Sequence, residues 1–187
     1  MLYLLPTIMR SMQAIALGLA AFGQLKAGPR PAVPDKIKAA PAELVVLRAH
    51  ASGSQIYVCQ LGAEDKPAWT LKAPEAELQD QHGTRIGRHY AGPTWKLDDG
   101  SEVTGKAVAR VDSPDPDSIP WLLLSATGHS GSGILMHISS IQRINTRGGQ
   151  PPRQDGCNAS TLNREVRSAY TAEYYFYVTA KDFELPD

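Results

Sequence analysis

Cysteine is scarce: only Cys59 and Cys157 occur in the 187 residues, too few to staple a disulfide-built miniprotein. Neither lies in a CxxC or CxxH pattern, which removes the usual local thiolate metal motifs. Net charge is also missing. With 19 basic against 19 acidic side chains, nothing draws the chain over long range to a polyanion, so neither nucleic acid nor an anionic membrane is an expected partner. The apolar run at residues 11–23 stops short of the ~20 residues that cross a bilayer. No repeat of ~20–50 residues is present, which excludes the common repeat architectures. Disorder is excluded too, because 42% of the residues are hydrophobic and only 20% charged.

What is present begins with an address. A basic residue, Arg10, precedes the apolar run at 11–23, and the small residues Ala21 and Gly23 follow within it. That order is the pattern of a secretory signal peptide. Residues 1–27 are therefore read as a leader, the protein as secreted (periplasmic or extracellular), and the mature form as having no transmembrane span. Cleavage would take away Arg10 and Lys26 and no acid, leaving 17 basic against 19 acidic residues. Residues 28–41, with Pro29, Pro31 and Pro34 close together, read as an extended, polyproline-like tether. Residues 42–187 remain for a single domain. In an oxidising compartment Cys59 and Cys157, 98 positions apart, are expected to pair. Closing a loop of that length contributes ~4.7 kcal/mol in the chain-entropy model.

The body reads as strands separated by turns. Residues 44–47 and 55–59 flank Ser52-Gly53-Ser54, and Trp69-Thr70-Leu71 precedes Ala73-Pro74. Residues 76–79 and 84–88 flank Asp80-Gln81-His82-Gly83, and residues 94–97 and 102–111 flank Asp98-Asp99-Gly100, the strongest hairpin signal. The apolar run 119–126 predicts a central buried strand. Residues 134–144 predict a strand with Ile134, Met136 and Ile138 on one face, and 170–179 an aromatic strand. A helical turn fits 161–167. The fold class is all-β: an antiparallel β-sandwich or barrel of about eight to ten short strands with one disulfide.

Chemistry-bearing residues are thinly spread. Gly128-His129-Ser130-Gly131-Ser132-Gly133 fails the G-x-S-x-G pattern, since Ser132 stands where the second Gly belongs, and no helix is expected after it. A loop of this composition can instead offer backbone N–H groups to a ligand. The five histidines, His50, His82, His89, His129 and His137, form no HxH, HxxxH or HExxH pair. A metal site would have to assemble from separate strands, with His89, His129 and His137 as its ligands and Cu or Zn as the ion. No cofactor is predicted from any contiguous motif.

Several stretches in series resemble one family of exported bacterial and fungal proteins catalogued as a domain of unknown function. They include Gln55-Ile56-Tyr57 with Cys59, Trp69 with Ala73-Pro74, Gly87 with His89, and Gly92-Pro93-Thr94-Trp95. Asp99-Gly100-Ser101, residues 119–124, Ile141-Gln142-Arg143, Thr146 with Gly148-Gly149, Cys157, Tyr170-Thr171-Ala172 and residues 174–177 continue the series. The resemblance covers nearly all of residues 42–178 and implies an exported single-domain protein with no activity or ligand to carry over. Some fungal members bear a malate dehydrogenase label. The chain has neither G-x-G-x-x-G nor a βαβ rhythm, so its residues give that label no support.

Two functional classes stand from the sequence. The leading one is a module that binds a small molecule, a carbohydrate or a cell-surface ligand without catalysis, with His89, Tyr90, Trp95, His129 and Ser130 as candidate ligand contacts. The alternative is a secreted metalloprotein or oxidoreductase built on the three histidines.

Overall fold

The computed structural model describes residues 27–183; the leader expected at 1–27 falls almost wholly outside them. Eight strands follow in order: β1 (Glu43–Leu61), β2 (Pro67–Gln79), β3 (Arg85–Tyr90), β4 (Thr94–Leu97), β5 (Glu102–Val111), β6 (Trp121–Ser130), β7 (Ile138–Gly148) and β8 (Glu165–Thr179). Each pairs antiparallel with the next, and β8 pairs back onto β1, closing a barrel. Of the two expected arrangements the barrel is the one formed. Among the described residues no helix is long and apolar enough to cross a membrane. The disulfide joins Cys59 of β1 to Cys157 in the β7–β8 connection, with S–S 2.04 Å.

The strands are not uniformly short, and two predicted breaks are continuous strand. Ser52-Gly53-Ser54 lies inside the 19-residue β1. Gly53 pairs with Ala76 on one side and Tyr170 on the other. A Cβ there would meet the Glu75 carbonyl oxygen at 2.1 Å and the Ala76 Cα at 2.5 Å. The glycine thus serves close approach of a neighbouring backbone, not a turn. Ala73-Pro74 likewise lies inside β2. Pro74 pairs with Gln55 beside a register shift in β1, and β3 reaches β2 only from Ala76 onward, so the missing N–H interrupts no ladder on that side.

A third expectation also fails. Residues Ile134–His137 form a 3-10 turn, and β7 starts only at Ile138. Polar groups of the β4–β5 connection hold this turn: the Ile134 N–H donates to Asp99 Oδ2 (3.1 Å) and the Leu135 N–H to Ser101 Oγ (3.2 Å). The helical turn expected at 161–167 is a 3-10 turn at Ala159–Thr161, capped by Asn158; a turn through Asn163 follows, and the chain is extended from Glu165.

Alternation along the strands sends one set of side chains inward. Leu78, Trp95, Val103, Leu124, Ile141 and Phe176 belong to this inner core. A second cluster sits on the outside of the wall, where Ile37, Ala39, Val45, Ile144, Tyr175 and Tyr177 pack with Trp121 and Leu123. The continuous apolar run of β6 follows from this arrangement. Leu122 and Leu124 face the lumen while Trp121 and Leu123 lie under the outer cluster, so both faces are covered.

The covering element is the proline-rich segment, which is docked rather than a free tether. The Gly28 N–H donates to the Val45 carbonyl (2.8 Å), and Ile37 is fully buried. The Arg30 guanidinium donates to the carbonyls of Ala39, Ala40 (3.0 Å) and Glu43 (3.2 Å) and lies 5.6 Å over the Tyr177 ring. Buried Gln142 donates to the Ile37 carbonyl (2.5 Å) and accepts from the Tyr177 hydroxyl.

Candidate functional site

Unequal strand lengths open the barrel wall. β3 and β4 are six and four residues long, between the 13-residue β2 and the 10-residue β5. β2 pairs with β3 only from Ala76, and β5 pairs with β4 only up to Thr104. Above the β3–β4 turn, residues 67–75 of β2 and 105–111 of β5 therefore lack a common neighbour. The turn residues Gly92 and Pro93 form the sill of this notch, with Leu71 and Lys72 on one side and Ala107 on the other.

Behind the notch is a lumen of about 330 Å³ to which all eight strands contribute. That volume is at the lower end of small-molecule sites, and an eight-stranded barrel has room for either packed side chains or one small ligand. Its inner wall is aromatic. His89 stacks on Trp95 with centroids 4.5 Å apart and planes 13° apart, and Tyr174 meets both rings edge-on at 5.2 and 5.4 Å. Leu122 and Leu124 complete the apolar side.

Set into this wall are polar groups that the protein does not satisfy. Among the described residues, the buried Gln55 Nε2 and Trp95 Nε1 border the lumen with no hydrogen-bond partner, and the buried Tyr174 hydroxyl has only Tyr170 and Arg143 beside it, neither in a well-formed bond. Buried donors without partners are costly and rare in native structures. Half-buried Arg143 projects into the same space from β7, its Nε and Nη2 donating to the Pro120 carbonyl at 3.3 and 2.9 Å. No Asp or Glu lines the cavity.

His89 is 2% exposed. Its Nδ1 lies 2.8 Å from the Thr94 carbonyl oxygen, so Nδ1 carries the proton and Nε2 is left as an acceptor. Burial pushes the imidazole pKa down to about 3, against the raising effect of the Thr94 hydrogen bond and with a further push from the Arg143 charge. At neutral pH the ring is uncharged. Burial likewise raises the Tyr174 hydroxyl, partly offset by Arg143.

Of the sequence-derived candidates, His89 and Trp95 are brought together, and the others lie elsewhere. Tyr90, one residue on, faces outward, its hydroxyl donating to Glu102 Oε2 (2.6 Å); the Ser130 hydroxyl reaches the other oxygen of Glu102 at 3.5 Å. His129 Nε2 donates to the Ile138 carbonyl (2.8 Å), and His137 is exposed in the 3-10 turn. Among the described residues no group of three or more His, Cys, Asp or Glu side chains is placed to hold a metal ion. The glycine loop after Ser130 is packed against the β4–β5 turn, since a Cβ at Gly131 would stand 2.0 Å from the Gly100 carbonyl oxygen. Gln55, Arg143 and Tyr174 are the lumen residues that the sequence reading did not assign to a site.

A larger hollow of about 780 Å³ lies outside the wall near Ser52, Gly53 and Arg88. Its carboxylates are paired, Glu75 with Arg167 (3.0 Å) and Glu77 with Arg85 (3.8 Å), Arg88 lies 5.4 Å over the Tyr90 ring, and none of the buried unpartnered groups lines it.

A family model described as "Protein of unknown function (DUF3455)" matches residues 40–178. The chain belongs to the DUF3455 family. The match takes in the whole barrel but for the last residue of β8, and with it every lumen residue named above. Neither a curated protein nor a solved structure matches this DUF3455 chain.

Proposed function

We propose that this barrel is a binding protein that holds one small molecule in its lumen, without catalysis, outside the cytoplasm. The observation that carries the reading is the pair of buried, unpartnered donors, Gln55 Nε2 and Trp95 Nε1, with the Tyr174 hydroxyl beside them, around a cavity open through the β2–β5 notch. A ligand with acceptor atoms would satisfy these donors, and its apolar body would lie against Trp95, Tyr174 and Leu124. The leader pattern and the disulfide support an exported location.

The test is a titration with the neutral fluorophore 6-propionyl-2-(dimethylamino)naphthalene, whose ketone offers an acceptor and whose naphthalene is the apolar body. Saturable binding at one site per chain is expected, with loss of binding when Leu124→Phe fills the lumen and circular dichroism shows the barrel intact. Absence of saturable binding, or binding indifferent to Leu124→Phe, refutes the reading.

A further inference from the structure

Charge in and around the lumen is one-sided. Lys72 and Arg143 both line it, and no carboxylate does. At the mouth Lys72 is neutralised by Glu165. Arg143 is not: its neighbours are the neutral Pro120 carbonyl and the Tyr174 hydroxyl, and no carboxylate oxygen among the described residues lies within 4.0 Å of it. One carbonyl cannot use the five N–H donors of a guanidinium, and a charge held away from bulk water without a counter-ion is costly.

The surrounding groups are biased the same way. Gln55 Nε2 and Trp95 Nε1 are donors and cannot accept, and the Tyr174 hydroxyl also has a hydrogen to give. His89 supplies the one ring acceptor and stays uncharged. A cationic ligand would meet Arg143 with no anion to offset it. A purely apolar one would leave the Gln55 and Trp95 donors without partners and the guanidinium without a counter-ion.

We infer that the lumen selects a small organic monoanion, its carboxylate held by Arg143 together with the Gln55, Trp95 and Tyr174 donors and its flat apolar body stacked along the Trp95–Tyr174 wall. This rests on the reading of the barrel as a binding protein and goes further by fixing the charge of the ligand and the residue that reads it. Guanidinium and carboxylate match in shape and charge, which makes such contacts about twice as strong as neutral ones.

The experiment compares two ligands of nearly equal shape, 1-naphthoate and 1-naphthamide, by isothermal titration at pH 7 with the intact protein. Binding is located by the Trp95 indole N–H resonance, assigned with Trp95→Phe. The carboxylate is expected to bind at least about tenfold more tightly than the amide. The advantage should vanish in Arg143→Gln and survive in part in Arg143→Lys. Equal affinities in the wild-type protein overturn the inference and leave the binding reading standing, so a poorly folding Arg143 variant does not blunt the test. An advantage kept whole in Arg143→Gln also overturns it. If neither compound moves the Trp95 resonance, this inference falls and the lumen reading falls with it.

Discussion

Lowering the pH from 7 to 4 should destabilise the barrel through His89 in particular. The unfolded imidazole titrates near 6.5, whereas burial holds the folded one at about 3. As pH falls through 6.5 the unfolded chain takes up a proton that the folded chain refuses, so stability decreases with acid across the window from about 6.5 to about 3. The loss from this one group is about 2 kcal/mol at pH 5 and about 3 kcal/mol at pH 4. Carboxylates such as Asp99 add their own acid losses. Burial would raise its pKa, yet the Ser101 hydroxyl and the N–H groups of Ser101 and Ile134 hold it below the usual range. The comparison is therefore between wild type and His89→Gln, which keeps a donor for the Thr94 carbonyl and removes the titrating ring. Urea unfolding followed by far-ultraviolet circular dichroism at pH 7, 5 and 4 gives the stability of each. The wild type should lose about 3 kcal/mol more than the variant between pH 7 and 4. Equal losses, or a folded His89 ring that titrates near 6.5 by NMR, would refute the reasoning.

Three further perturbations probe the frame around the site. Replacing both Cys59 and Cys157 by Ala releases a closed loop with a separation of 98 residues and should cost ~4–5 kcal/mol in urea unfolding; a cost below ~1 kcal/mol would contradict that role. Gly53→Ala forces a Cβ to 2.1 Å from the Glu75 carbonyl oxygen and 2.5 Å from the Ala76 Cα. Neither backbone atom can swing aside, so a loss of ~3 kcal/mol or more is expected, and a neutral effect would show that β1 and β2 do not meet this closely. Arg30→Ala removes the donors to the Ala39, Ala40 and Glu43 carbonyls. It should cost about 1–2 kcal/mol and speed tryptic cleavage at exposed Lys36 and Lys38, while an unchanged cleavage rate would speak against docking of the segment.

The parts of this fold that were legible in the sequence are those decided locally. Asp98-Asp99-Gly100 and Asp80-Gln81-His82-Gly83 fall where the chain reverses, because turn chemistry depends on neighbours in sequence. The pairing of Cys59 with Cys157 is expected from the leader pattern and the count of two cysteines. Gly53 and Pro74 look like breaks in the sequence because their roles depend on strands far away. Gly53 is dictated by Glu75 and Ala76 across the ladder, and Pro74 by where β3 ends. Closure itself needs β1 to find β8, as in the pairing of Arg48 with Tyr175, and no local pattern encodes that meeting. Docking of the proline-rich segment needed the same long-range knowledge, although Ile37 and Ala39 amid prolines were a hint of a buried face.

The site was half legible for a related reason. His89 and Trp95 pair across the β3–β4 hairpin, and both stand among the residues that the sequence marks as candidate contacts. Tyr90 had to face the other way by strand alternation alone, a consequence that could have been read from the sequence. Gln55 beside Ile56-Tyr57, and Arg143 between Ile141 and Ile144, were polar residues within apolar strands. That pattern marks an inward polar group only once the barrel tells which face is inside.

The central claim is that the unsatisfied donors of the lumen are ligand contacts, and a crystal structure of the protein with 1-naphthoate tests it most directly. The account predicts density for the naphthyl ring beside Trp95 and Tyr174 with the carboxylate at Arg143. Density confined to the outer hollow near Arg88 and Arg167, with Arg143 still bonded to the Pro120 carbonyl alone, would contradict it.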